Sequence, residues 1–408
     1  MQILASTIQK TEAMLETVKN LEAGDFPQNH AKETLTEIGA VFDEHLKQLN
    51  DLKKGGAPKA EAVYCTAVLD DLFVFLPILG FLHRSKNASN AFEMYGPLLR
   101  MARQLIGNDT KLVLSSEWDF SPFTMLEMPS LPNIVLIGLP ASECANALLV
   151  PLAGHEFGHS IWSLEKARKT YEPTLAQAVV QAIRTHWSEY QKHYPDVKDG
   201  TLTTDIFAQQ TWLPALKWSL RQCEEVFCDL VGLRTFGEAY FHAFAYLLAP
   251  GMPSRQPFYP SDQQRADYLT RAAAHWGITV PTTFKSSFQA PAPTISTLEQ
   301  FLIDTADRAT VSLLPSLIAH VNKWCTSKGV SLPTTEEITS VFDAFRKLVP
   351  AAHPNTLSSI INAGWRAVHD PDLWGDYPRV AARRTLALNE LMRKTAQVLE
   401  VSQLLTSS

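Results

Sequence analysis

The chain has 408 residues, of which 46% are hydrophobic and 19% charged, and a formal net charge of −6. That composition allows a large buried core and two or three domains. It argues against a nucleic-acid or anionic-membrane partner, because phosphate binding needs clustered Lys and Arg and no long basic run is present.

The first residues, MQILASTIQKTEAML, lack an apolar h-region, so no secretory signal is expected. The first fifty-odd residues read as a helical hairpin. Leu35, Ile38, Phe42, Leu46 and Leu49 recur at three- and four-residue steps and mark one apolar face. Ala23 to Gln28 (AGDFPQ) breaks the two helices. Ala60 to Arg84 reads as a buried helix that bends or ends near Pro77, and a further helix is expected over Ala88 to Ile106. Two short β-branched runs follow, KLVLSS from Lys111 and NIVLIGL from Asn133, with FTMLEM from Phe123 as a third candidate strand.

Neither apolar run, Leu72 to Leu82 or NIVLIGLP, reaches the about twenty apolar residues of a membrane span, and no membrane insertion is expected. The five cysteines are Cys65, Cys144, Cys223, Cys228 and Cys325, an odd number without CxxC spacing. Buried free thiols in a reducing cytoplasm are the expectation.

Beyond the strands the pattern is helical. Helices are expected over Thr174 to Tyr194, Asp205 to Ala249 with a break at Pro214, Gln263 to Trp276, Thr297 to Ser327, Thr335 to Leu348, Asn355 to His369 and Arg379 to Leu405. Proline-rich connections interrupt the run after Leu248 and after Val280. The whole reads as a mainly α fold with a small β-sheet, in three regions: a helical region 1–110, a core 111–250 and a helical region 251–408.

Between the strands and these helices lies PLAGHEFGHSIW, Pro151 to Trp162. Residues four apart stack on one face of a helix, so His155 and His159 can turn two imidazoles toward one ion. Glu156 lies about 100° round the helix from His155, where it reaches a water on that ion rather than the ion itself. Gly154 and Gly158 weaken the helix, which points to a close approach by another backbone or a ligand. Ser142 is the candidate N-cap, with Glu143 in the first turn and Pro151 as a kink or restart.

A catalytic zinc needs a third protein ligand. Trp162 and Glu165 stand where a metzincin would carry Gly and His, which excludes that pattern. RQCEEVFCDLVGL, from Arg221, offers Glu225 and Asp229 at i, i+4, with Gly232 nearly one turn further along the same face. With these residues the stretch from Lys111 to Pro250 resembles the gluzincin metallopeptidases, in which HExxH on one helix is completed by ExxxD on a second.

The resemblance implies a zincin-like catalytic core in which His155, His159 and Glu225 ligate zinc. Glu156 is then the general base toward the zinc-bound water, and Asp229 accepts a hydrogen bond from the first histidine. It implies that the upstream strand is a sheet edge offered to an extended peptide or protein substrate. Glu224 stands where many gluzincins have Asn, which leaves a one-residue ambiguity in the ligand. The Gly-x-Met-Glu-Asn signature of the aminopeptidase branch is absent. YPSDQQRADYL is similar to the His-Pro…Arg segment of some membrane-associated gluzincins, with Tyr259 in place of the histidine and Arg265 following. That makes Tyr259 the candidate to face an oxyanion. The expected function is a zinc metallopeptidase; the rival is a helical scaffold that keeps a metal without catalysis.

Overall fold

A computed structural model describes residues 2–55, 58–86, 92–118, 123–124, 131, 133–293 and 296–406. The chain is 73% helical, with one small sheet among the described residues, the mainly α fold with a small β part that the patterns suggest. In chain order come α1 (Gln2–Glu22), α2 (Asn29–Gly55), α3 (Pro58–Ser85), α4 (Phe92–Leu105), β1 (Lys111–Glu117), β2 (Phe123–Thr124) and β3 (Ile134–Pro140). Then follow α5 (Leu152–Leu164), α6 (Ala167–Thr185), α7 (Trp187–His193), α8 (Ile206–Phe236), α9 (Glu238–Leu248) and α10 (Asp262–Trp276). Last are α11 (Thr297–Ser327), α12 (Thr335–Arg346), α13 (Leu357–His369), α14 (Pro378–Ala381) and α15 (Arg384–Thr406).

The chain divides into two compact units, residues 1–92 with 107–145 and residues 93–106 with 146–408. The division therefore falls elsewhere than at 110 and 250. The strands group with the N-terminal helices, and α10 and α11 each pack on α8 across residue 250.

In the first unit the predicted face of α2 is buried at Leu35, Ile38, Phe42 and Leu49, against Val68, Leu72, Phe75 and Leu79 of α3. β1 pairs with β3 in parallel from Lys111↔Ile134 to Glu117↔Pro140, and β2 pairs antiparallel with β3 at Phe123↔Gly138 and Thr124↔Ile137. The rest of the third candidate strand, residues 125–128, lies outside the described residues. β3 is thus the central strand, flanked on both sides, and not the sheet edge that the resemblance implied. The outer side of β1 is met by the start of α2: Leu114 N donates to Gln28 Oε1 at 2.9 Å and Leu112 N to His30 Nδ1 at 3.3 Å.

α3 runs unbroken through Pro77, so the apolar run is longer than the stretch around Leu72 suggests. An 18-residue window in it has a mean hydropathy of 1.9, long and apolar enough to cross a membrane by length and composition, and 44% of that window is buried inside the protein.

The second unit is built round α8, whose residues 225–233 are all buried. Asp205 caps it by accepting from Phe207 N and Ala208 N. The predicted break at Pro214 does not occur; the helix ends at Gly237, where φ is +61°. A proline inside a helix costs about 3 kcal/mol, and the all-round burial of the second half of α8 outweighs it. α5 starts at Leu152 with Pro151 before it, and Ser142 belongs to a separate 3₁₀ turn at Ala141–Glu143. Ser142 is therefore not the cap of the histidine helix. All five cysteines are free, four of them buried.

Candidate metal centre

α5 and α8 pack tightly because glycines remove the side chains that would hold them apart. A Cβ added at Gly154 would lie 2.9 Å from Cα of Gly232, and one at Gly158 would lie 2.5 Å from Cα of Cys228. The neighbour announced by the two glycines is thus the second helix itself. The approach brings together His155, His159, Glu225 and Asp229. The two imidazoles have centroids 5.1 Å apart and lie nearly perpendicular.

Each imidazole is held from behind by a carboxylate. His155 Nδ1 donates to Asp229 Oδ1 at 2.8 Å, and His159 Nδ1 donates to Glu224 Oε1 at 2.9 Å. An ionised carboxylate only accepts, so both rings carry their proton on Nδ1 when neutral. The Nε2 lone pairs are left to face one further carboxylate: His155 Nε2 lies 3.3 Å from Glu225 Oε2, and His159 Nε2 lies 3.9 Å from Glu225 Oε1. Glu224 and Glu225 therefore do different jobs, one behind a ring and one in front of both.

Asp229 is itself held on all sides. It accepts from Tyr240 Oη at 2.8 Å and from Arg265 Nε and Nη2, each at 2.8 Å. Arg265 reaches it from the first turn of α10, whose start is set by a capping box between Ser261 and Gln264. Burial works against ionisation of Asp229, but Arg265 and His155 outweigh it and hold the carboxyl well below the usual range. Arg221, one turn before Glu225, places Nη2 2.7 Å from Glu225 Oε1 and Nη1 2.6 Å from Glu224 Oε1. Even so, Glu225 Oε1 is buried without a well-aligned hydrogen bond among the described residues.

The donor set fits a divalent cation. Two bare imidazole nitrogens turned onto one carboxylate, which Arg221 meets at Oε1, are a set of acceptors that a cation suits. Without an ion, a proton on His155 would serve the same carboxylates. Burial favours a neutral His155, yet its hydrogen bonds to Asp229 and Glu225 push its pKa up to about 10. Burial likewise opposes charge on Glu225, yet His155, His159 and Arg221 bring it down to about 2. Four carboxylates (Glu156, Glu224, Glu225, Asp229) face two guanidiniums (Arg221, Arg265), which leaves −4 + 2 = −2 to be balanced when all are ionised.

Glu156 follows His155 on α5 and is only 4% exposed. Burial pushes its pKa up from the ordinary carboxylate value, while the two histidines pull the other way. Cys228 adds a donor that the motif reading did not single out: its Sγ and one ring nitrogen from each of His155 and His159 lie within 4.8 Å of one another. Its position three residues after Glu225 on the same helix face was the available signal. Arg221, at i−4 from Glu225, was legible in the same way. Tyr240 was not, because it arrives from beyond the Gly237 turn. Tyr259 is 42% exposed, with its ring centroid 5.9 Å from the guanidinium carbon of Arg221.

The chain matches no family model, no curated protein and no solved structure.

Proposed function

We propose that the chain is a zinc-dependent metallohydrolase that cleaves peptide bonds, with a zincin-like core of the gluzincin kind in its helical unit. One observation carries this reading: each histidine is locked by a carboxylate at Nδ1 while both Nε2 atoms face Glu225. His155, His159 and Glu225 would hold the ion, and three protein ligands leave a position for chemistry. Bound there, zinc supplies a Lewis acid and lowers the pKa of water to about 7. Asp229 and Glu224 keep the two rings in the ligating tautomer, and Arg265 and Tyr240 keep Asp229 in place. Glu156 accepts the proton of the attacking nucleophile and delivers it to the leaving amine. Its raised proton affinity suits a group that must both take and give a proton. The substrate is a peptide or protein segment.

Cys228 supports a second reading. A thiolate joining His155, His159 and Glu225 would close the coordination sphere and make the metal structural. Cobalt substitution separates the two, since a thiolate ligand adds an intense near-ultraviolet charge-transfer band and a His₂Glu site does not. The deciding experiment compares parent and Glu156→Gln at matched zinc content on a peptide library. We expect equal zinc binding and a loss of cleavage of roughly 10²-fold or more in the variant. Equal cleavage by both would remove Glu156 from the chemistry. No cleavage by either, with a thiolate band, would favour the structural metal.

A further inference from the structure

The geometry points to an aromatic rim beside this centre, formed by Trp218, Phe258 and Tyr259, which selects peptides carrying a large apolar side chain near the scissile bond. The inference rests on the peptidase reading above and adds a substrate class to it. Trp218, Arg221 and Glu225 are spaced i, i+3 and i+7 on α8 and share one face. At about 1.5 Å per residue, Arg221 lies roughly 6 Å and Trp218 roughly 10 Å along the helix from Glu225. The ring of Phe258 packs edge-on against Trp218 at 6.4 Å, and Tyr259 stands over Arg221. An extended peptide advances about 3.3 Å per residue. A side chain two or three residues from the reacting carbonyl would therefore arrive at this rim.

Phe258 is 50% exposed, yet its loop is fixed from below. The Arg255 side chain is buried, pairs with Asp307 of α11 and donates to the carbonyl of Tyr259. Gln222 Nε2 donates to the carbonyl of Pro257 at 3.0 Å, and Gln222 Oε1 accepts from Thr310 at 2.9 Å. Pro257 and Pro260 restrict the backbone on either side of the two aromatics. Two aromatic rings held in water by a stiff, anchored loop form a binding surface rather than a relaxed turn. The nearby charge of Arg221 is met by Glu224 and Glu225, so the rim favours an apolar occupant over an anionic one.

The test uses zinc-loaded Glu156→Gln protein, which holds a peptide without cutting it. End-blocked peptides with a single Phe or a single Ser placed at each position in turn are titrated calorimetrically. At one or two positions Phe should bind about 10-fold tighter than Ser. Phe258→Ser should abolish that preference, and Phe258→Leu should restore most of it. Equal affinity for Phe and Ser at every position, no binding of any peptide, or a preference unchanged in Phe258→Ser would overturn the rim. Hydrolysis by the parent is scored separately. Cleavage without side-chain preference removes the rim alone, whereas a parent that neither holds zinc nor cleaves removes the peptidase reading itself.

Discussion

Both units bury carboxylates, and they do so differently. In the sheet-bearing unit Glu117 ends β1 and accepts from Arg84 Nε at 2.8 Å and from Ser115 Oγ at 2.7 Å. Arg84 is half in solvent, so one surface cation answers one carboxylate. In the helical unit Glu156, Glu225 and Asp229 are each buried within one cluster, with Glu224 at its margin and Arg265 buried alongside. Desolvating charges costs more than their attraction returns unless the geometry is nearly complete, so a fold alone gains little from such a cluster. Its concentration on the α5–α8 contact marks a site, whereas Glu117 only finishes a strand.

The sharpest way to break this contrast is to remove one cation from each unit. Arg265→Met takes from the buried Asp229 its guanidinium partner, leaving only His155 and Tyr240, and should cost about 3 kcal/mol in urea unfolding. Arg84→Met should cost less, about 1 kcal/mol, because Arg84 is half in solvent and Glu117 keeps its hydrogen bond from Ser115. Equal losses would mean that the two carboxylates play equivalent structural roles.

A second contrast is between the metal-free and the loaded protein. Without an ion, His155 holds its proton up to about 10 against an ordinary 6.5. The folded-state pKa is the higher one, so this stabilisation is fully present below pH 6.5 and is lost as pH rises through about 10. The chelated protein should lose thermal stability across that window, and the zinc-loaded protein should not, because the ion replaces the proton. Parallel melting curves for the two forms would contradict the placement of the ion at His155.

Smaller effects separate the two supporting carboxylates. Asp229→Asn should weaken zinc binding 10- to 100-fold. Glu224→Gln should cost less than about tenfold, since Glu224 is partly exposed at the margin of the cluster, whereas Asp229 is buried and paired with Arg265. A larger loss for Glu224→Gln, measured by competition with a chromophoric chelator, would reverse their roles.

Local pattern carried much of this. The 3.6-residue period located α10 and α11 to within a residue and found the apolar face of α2, and i, i+4 spacing paired His155 with His159 and Glu225 with Asp229. Proline misled twice, at Pro77 and Pro214, because burial along α3 and α8 outweighs the local cost of a missing N–H. The pattern of NIVLIGL identified a strand but could not say that β3 lies between β1 and β2, since pairing order depends on residues distant in sequence. Around the candidate metal centre, groups on α5 and α8 were legible by face. Tyr240 had no signal because the Gly237 turn resets the helix phase. Arg265 was visible only through the motif that contains it, and its partner Asp229 lies 36 residues away.

The most direct test of the central claim is a calorimetric zinc titration of chelator-stripped protein beside Glu225→Ala and Cys228→Ser. The parent should bind one equivalent tightly, Cys228→Ser should bind it equally well, and Glu225→Ala should bind it far more weakly. Zinc binding that survives Glu225→Ala but fails in Cys228→Ser would contradict the ligand set and the catalytic reading built on it.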